Sequence, residues 1–117
     1  MNKEQKKDMF LQCLKYCRDL TLKGKFKELD EMLTPLKAVL SAFSKDSLGD
    51  FTMRMNHSGS YPFINLWYGI DWDGMRYRFQ ASVVFYDYES AQERKRKYKQ
   101  FINEVIAYLE GGVGHGE

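Results

Sequence analysis

Apolar residues recur at spacings of three and four along the first third of the chain, switch to alternation in the middle, and return to helical spacing at the end. Phe10, Cys13, Leu14, Cys17 and Leu20 form one stripe and predict a helix over residues 4–23, closed by Gly24 as a C-terminal cap. Phe26, Leu29, Leu33, Leu36, Leu40 and Phe43 form a second stripe over residues 25–44, interrupted by Pro35. Proline suits a first helical turn and Thr34 is a capping residue type, so the pattern predicts a kink or two short helices meeting at Thr34-Pro35. The short connection at Gly24 predicts an antiparallel helix pair. Over residues 90–110, Tyr98, Phe101, Ile102, Val105 and Leu109 supply a third stripe. Ser90 followed by Glu93 reads as a capping box at its start, and Gly111-Gly112 ends it.

Between these segments the period is two. Phe51, Met53 and Met55 alternate with Thr52, Arg54 and Asn56, and Ser58-Gly59-Ser60 reads as a turn. Two aromatic-rich runs then flank Asp73-Gly74, a strong two-residue hairpin signal. That turn sets a register. It puts Ile64, Leu66, Tyr68 and Ile70 with Val83, Ala81, Phe79 and Tyr77 on one apolar face. The pairs Asp71–Arg76, Gly69–Arg78, Trp67–Gln80 and Asn65–Ser82 share the other, mostly polar face.

The predicted fold is therefore α+β in the order ααβββα: a two-layer arrangement of a three-stranded antiparallel meander with helices on its apolar face. The other sheet face is expected to meet water or a partner. The 117 residues fit one domain, residues 1–117, with 1–3 and 111–117 frayed. A hydrophobic fraction of 44% and an aromatic fraction of 15% argue against disorder. The charged N-terminus does not read as a signal peptide, and no apolar run has membrane-spanning length, so no membrane partner and a cytoplasmic location are expected. Cys13 and Cys17 lie one turn apart, where a disulfide would close a tiny loop, so reduced thiols are expected.

Charge changes the picture little. A net charge of +2 falls short of the basic excess typical of nucleic-acid binders. The Arg94–Lys99 run spreads around its helix: Arg94 lies near the apolar line, Lys95 and Lys97 flank it, and Arg96 and Lys99 point out. That distribution reads as a solvated end with snorkelling stems. Cys13, Cys17, His57 and His115 lack metal-site spacing, and no metal or cofactor is expected. Asp71 with Asp73 bracket the hairpin turn and Asp87 with Glu89 precede the capping box, which leaves no catalytic constellation.

The polar sheet face is the candidate site. It is expected to carry Arg54, Trp67, Arg76, Arg78 and Gln80, with Phe63 and Tyr86 toward one end. Tryptophan and arginine together are enriched at interfaces. The expected function is non-enzymatic binding of a protein partner by an inhibitor, immunity-type or adaptor protein, a class that includes phage- and plasmid-encoded examples. The alternative is an RNA or single-stranded DNA binder using Arg54, Trp67, Arg76, Arg78, Lys95, Arg96 and Lys99. Exposed outer strands also permit a homodimer.

Overall fold

The computed structural model describes residues 3–43, 51–58, 61–70 and 77–111, with side chains over 4–43, 62–66 and 79–111. The chain is α+β, with three helices and an antiparallel sheet among the described residues. Helix α1 spans Lys3–Lys23, α2 Leu29–Ala42 and α3 Ala91–Leu109. Strands β1 (Phe51–Ser58), β2 (Tyr61–Ile70) and β3 (Tyr77–Val84) lie in the spatial order β1-β2-β3.

The β2–β3 register pairs Ile70 with Tyr77, Tyr68 with Phe79, Trp67 with Gln80, Leu66 with Ala81 and Ile64 with Val83. This is the register that a two-residue Asp73-Gly74 turn implies, although that turn and the expected Asp71–Arg76 pair lie outside the described residues. Ile64, Leu66 and Ala81 are buried, and Phe79 and Val83 pack half-buried against the same core. Alternation sends Asn65, Gln80 and Ser82 to the other face, where they are exposed or half-exposed.

The helices cover the apolar face. Helix α3 packs on β3 with one flank and along α1 with the other, and α1 packs on α2. Phe79 of β3 stacks on Tyr108 of α3 with ring centroids 4.5 Å apart. Lys15 pairs with Glu110 at 2.7 Å, and Arg18 donates to Asn103 Oδ1 at 3.0 Å. As the α1 position advances from 15 to 18 its partner moves back from 110 to 103, so these two helices run antiparallel. Phe10 of α1 meets Phe43, just past α2, at 5.4 Å. One buried cluster joins Phe10, Leu14 and Cys17 with Leu36, Leu40, Leu66, Tyr98 and Val105. Phe85, just beyond β3, is also buried; its position continues the odd-numbered alternation of Val83.

Local details depart from the sequence pattern at three places. The second helix begins at Leu29, and residues 25–27 form a connection ahead of it. Pro35 sits inside α2, and Thr34 is not a cap: its hydroxyl donates to Asp30 O one turn back at 2.7 Å. Packing of Met32, Leu33, Leu36 and Leu40 carries the helix through the proline. Gly24 closes α1 as expected, its N–H donating to Leu20 O at 2.8 Å, but not in the left-handed conformation; Gly111 alone among the described residues has a positive φ, at 82°. A Cβ on Gly24 would press into the Phe26 ring. Close approach selects glycine at 24, and backbone conformation selects it at 111.

Candidate functional site

The expected sheet-face residues divide into three groups. Gln80 is exposed on β3, and Phe63 is half-buried on β2 opposite Val84. Trp67, Arg54 and Arg78 have their backbones placed, Trp67 between Thr52 and Gln80 and Arg54 opposite Asn65; their side chains lie outside the described residues. Arg76 lies outside them altogether. Tyr86 follows β3 and belongs to the turn into α3.

The free edge of β3 adds a feature that alternation of side chains does not reveal. Phe85 N donates to Pro62 O at 3.0 Å. This bond sets the phase of the ladder. Odd-numbered residues of β3 turn their backbone groups toward β2, and even-numbered ones turn theirs outward. Gln80 and Ser82 therefore present N–H and C=O groups along the edge, on a strand with no neighbour beyond it among the described residues. Val84 O, next in that row, is closed off by Lys97 Nζ at 2.9 Å. Beside this edge runs a groove of about 320 Å³, walled by Ser82, Val83 and Val84 on one side and by Gln100, Phe101 and Glu104 on the other.

The basic run of α3 splits by direction. Lys97 pairs with Glu89 at 2.6 Å and stands 4.7 Å from the centroid of the Tyr86 ring. Arg94 Nη2 donates to Tyr86 O at 2.9 Å, and Lys95 Nζ donates to Gly24 O. These three cations tie the β3–α3 turn and the α1–α2 connection to the helix. Glu89 also accepts Tyr86 N–H at 2.7 Å. Burial pushes its carboxyl up, but Lys97, the Tyr86 N–H and Arg94 outweigh burial and hold it below the ordinary value of 4.5. Glu89 was not legible as a site residue, because its partner is chosen only once the turn folds back on α3.

Arg96 and Lys99 stay exposed, as the helical wheel implies. They line a second groove, of about 860 Å³, together with Lys25, Lys27, Leu22 and Phe26 from the end of α1 and the connection after it. Of the expected nucleic-acid set, Lys95, Arg96 and Lys99 lie on α3, and Arg54, Trp67 and Arg78 have their backbones in the sheet.

Tyr98 and Cys17 are fully buried against each other's elements. Burial pushes the Cys17 thiol up to about 11, with Cys13 adding to the effect. Tyr98 is raised as well, first by burial and then by Cys17, with Thr21 opposing. The Thr21 hydroxyl donates to Cys17 O at 2.8 Å, and Tyr98 Oη finds no hydrogen bond of normal geometry. A buried protonated thiol in a packed core is a poor nucleophile. Among the described residues, no three His, Cys, Asp or Glu side chains are grouped to hold a metal ion, and no helix is long and apolar enough to cross a membrane.

Compared with known protein families, curated proteins and solved structures, the chain shows no match.

Proposed function

We propose that the protein is a non-enzymatic binding protein that docks a protein partner on the polar face of its sheet and the adjoining edge of β3, in the manner of an inhibitor, an immunity-type antagonist or an adaptor. The observation that carries this reading is the outward-turned backbone of Gln80 and Ser82 beside their own exposed side chains. An incoming extended segment gains main-chain hydrogen bonds there and places alternate side chains along the face. Phe63 and Val84, adjacent and half-buried, add apolar area at one end of the face. Alternation assigns Trp67, Arg54 and Arg78 to that face, residue types that anchor protein interfaces.

The test separates edge from face. Ser82→Pro removes an N–H that points away from β2 and so leaves the ladder intact, while blocking strand addition. Trp67→Ala with Arg78→Ala removes the expected anchors. Tagged wild-type protein is expected to retain a specific partner from a lysate of its native host, and both variants are expected to lose it while melting cooperatively. Unchanged capture by folded variants rejects the reading.

A further inference from the structure

We infer that the groove between the α1–α2 connection and the first turns of α3 binds single-stranded nucleic acid, at a site separate from the sheet face. Besides Lys95, which is held by Gly24 O, four cations converge on it from distant parts of the chain: Lys25 and Lys27 from the connection, Arg96 and Lys99 from α3. All four are exposed and none has an ion-pair partner among the described residues. Glu93 is the single carboxylate in the lining, and it already receives the Ser90 hydroxyl at 3.4 Å. Such an excess of positive charge on both walls suits a polyanion.

The floor narrows the class of polyanion. Leu22 is 48% exposed, an apolar surface left wet in the groove. Phe26 is half-buried, with its ring set against the bare Cα of Gly24. Lys95, bonded to Gly24 O, fixes that stretch to α3. The ring is therefore held in place before any ligand arrives, which is what a stacking platform requires. Bases present a π-face to stack on such a ring while their phosphates reach the rim, and this combination tolerates any base. From Ala91 to Lys99 the groove runs about 12 Å along α3, a length for a short stretch of strand. An acidic peptide would satisfy the rim but would use the fixed ring only if it carried an apolar anchor at the right place.

Fluorescence anisotropy with a labelled ten-residue oligothymidylate tests the inference. With four phosphates neutralised, log affinity is expected to fall with log salt at a slope of about −3, roughly fifty-fold weaker binding between 50 and 200 mM. Lys25→Ala with Lys27→Ala is expected to halve that slope, giving about a sevenfold loss over the same range. Phe26→Leu, which keeps apolar bulk, is expected to weaken binding about tenfold at constant salt slope. Lys37→Ala, an exposed cation on α2 outside the groove, is expected to change nothing. Absence of binding at 50 mM salt, or full binding by the Lys25/Lys27 variant, overturns the inference. Tighter binding of a labelled ten-residue oligoglutamate overturns it in favour of an acidic peptide. Ser82→Pro is expected to leave oligothymidylate binding intact, so this test and the partner-capture test fail independently.

Discussion

Glu89 shows how one side chain holds a turn. Its side chain is 5% exposed, yet it is charged, because Lys97 and the Tyr86 N–H both donate to it. The folded state therefore binds a proton at Glu89 more weakly than the unfolded chain does. Its contribution to stability is complete above the ordinary value of 4.5 and is lost as pH falls below it. Glu89→Gln is expected to cost about 1–2 kcal/mol at pH 7 and to flatten the acid limb of the stability profile, measured by urea unfolding from pH 7 to pH 3. An unaltered acid limb would show that Glu89 is not the group responsible. Cys17 has the opposite sign. Its thiol is raised to about 11, so the stability linked to it is complete below the ordinary value of 9.0 and is lost as pH rises toward 11. At pH 8 iodoacetamide is expected to modify Cys13, which is half-buried, well before Cys17; equal rates followed by mass spectrometry would contradict the burial described. The apolar stripe legible in the sequence places Cys17 inside, but nothing in it reveals the Lys97–Glu89 pair, since Lys97 reads as a flanking charge of the basic run and Glu89 as a carboxylate ahead of the capping box.

Helix α2 tests how far packing overrides propensity. Pro35 is the seventh residue of the helix and has no N–H to offer Glu31 O. That loss predicts a kink or two short helices meeting at Thr34-Pro35, with Phe26 inside the helical region. The structure continues through, because Leu33 and Leu36 on either side of the proline both sit in the core. Helix position alone cannot anticipate this: the gain from burying those side chains is set by what α1 and α3 bring against them. Pro35→Ala is expected to stabilise the protein by about 1–2 kcal/mol, since alanine regains the backbone hydrogen bond and keeps helical geometry, less the entropy that proline removes from the unfolded chain. The check is a higher urea midpoint at unchanged slope; a lower midpoint would show that the ring packs better than the bond it forfeits. In the third helix the capping signal is half realised. Ser90 accepts Glu93 N–H at 3.2 Å, while the Glu93 carboxylate meets the Ser90 hydroxyl.

At the scale of the whole molecule, two unlike surfaces emerge on one chain. The sheet offers an open edge and a polar face; the helical side offers a cationic groove around a fixed aromatic ring. They lie on different elements, which is why the variants at Ser82 and at Lys25 and Lys27 are expected to act separately. Lys95 bears on only one of them. By holding Gly24 O it fixes the connection that carries Lys25, Phe26 and Lys27, so the groove depends on α1 and α3 being docked. Within the tertiary structure the basic run is thus partly structural and partly exposed, a division made by direction around the helix rather than by composition.

Alternation and turn chemistry by themselves determined the strand pairing of β2 with β3, because a slip of one residue would send Leu66 and Ala81 to water. Helical spacing likewise determined which faces of α1, α2 and α3 are buried, since the period is intrinsic to the backbone. Those are local regularities, and local regularities are written along the chain. Tertiary structure alone decided which charges meet. Lys25 and Arg96 are some seventy residues apart in sequence, and no period relates them. It also decided that Gly24 is a glycine for space rather than for φ, and that Val84 O is closed while Gln80 and Ser82 face no further strand among the described residues. Each of these depends on where one element ends against another, and that is set by the packing of the core.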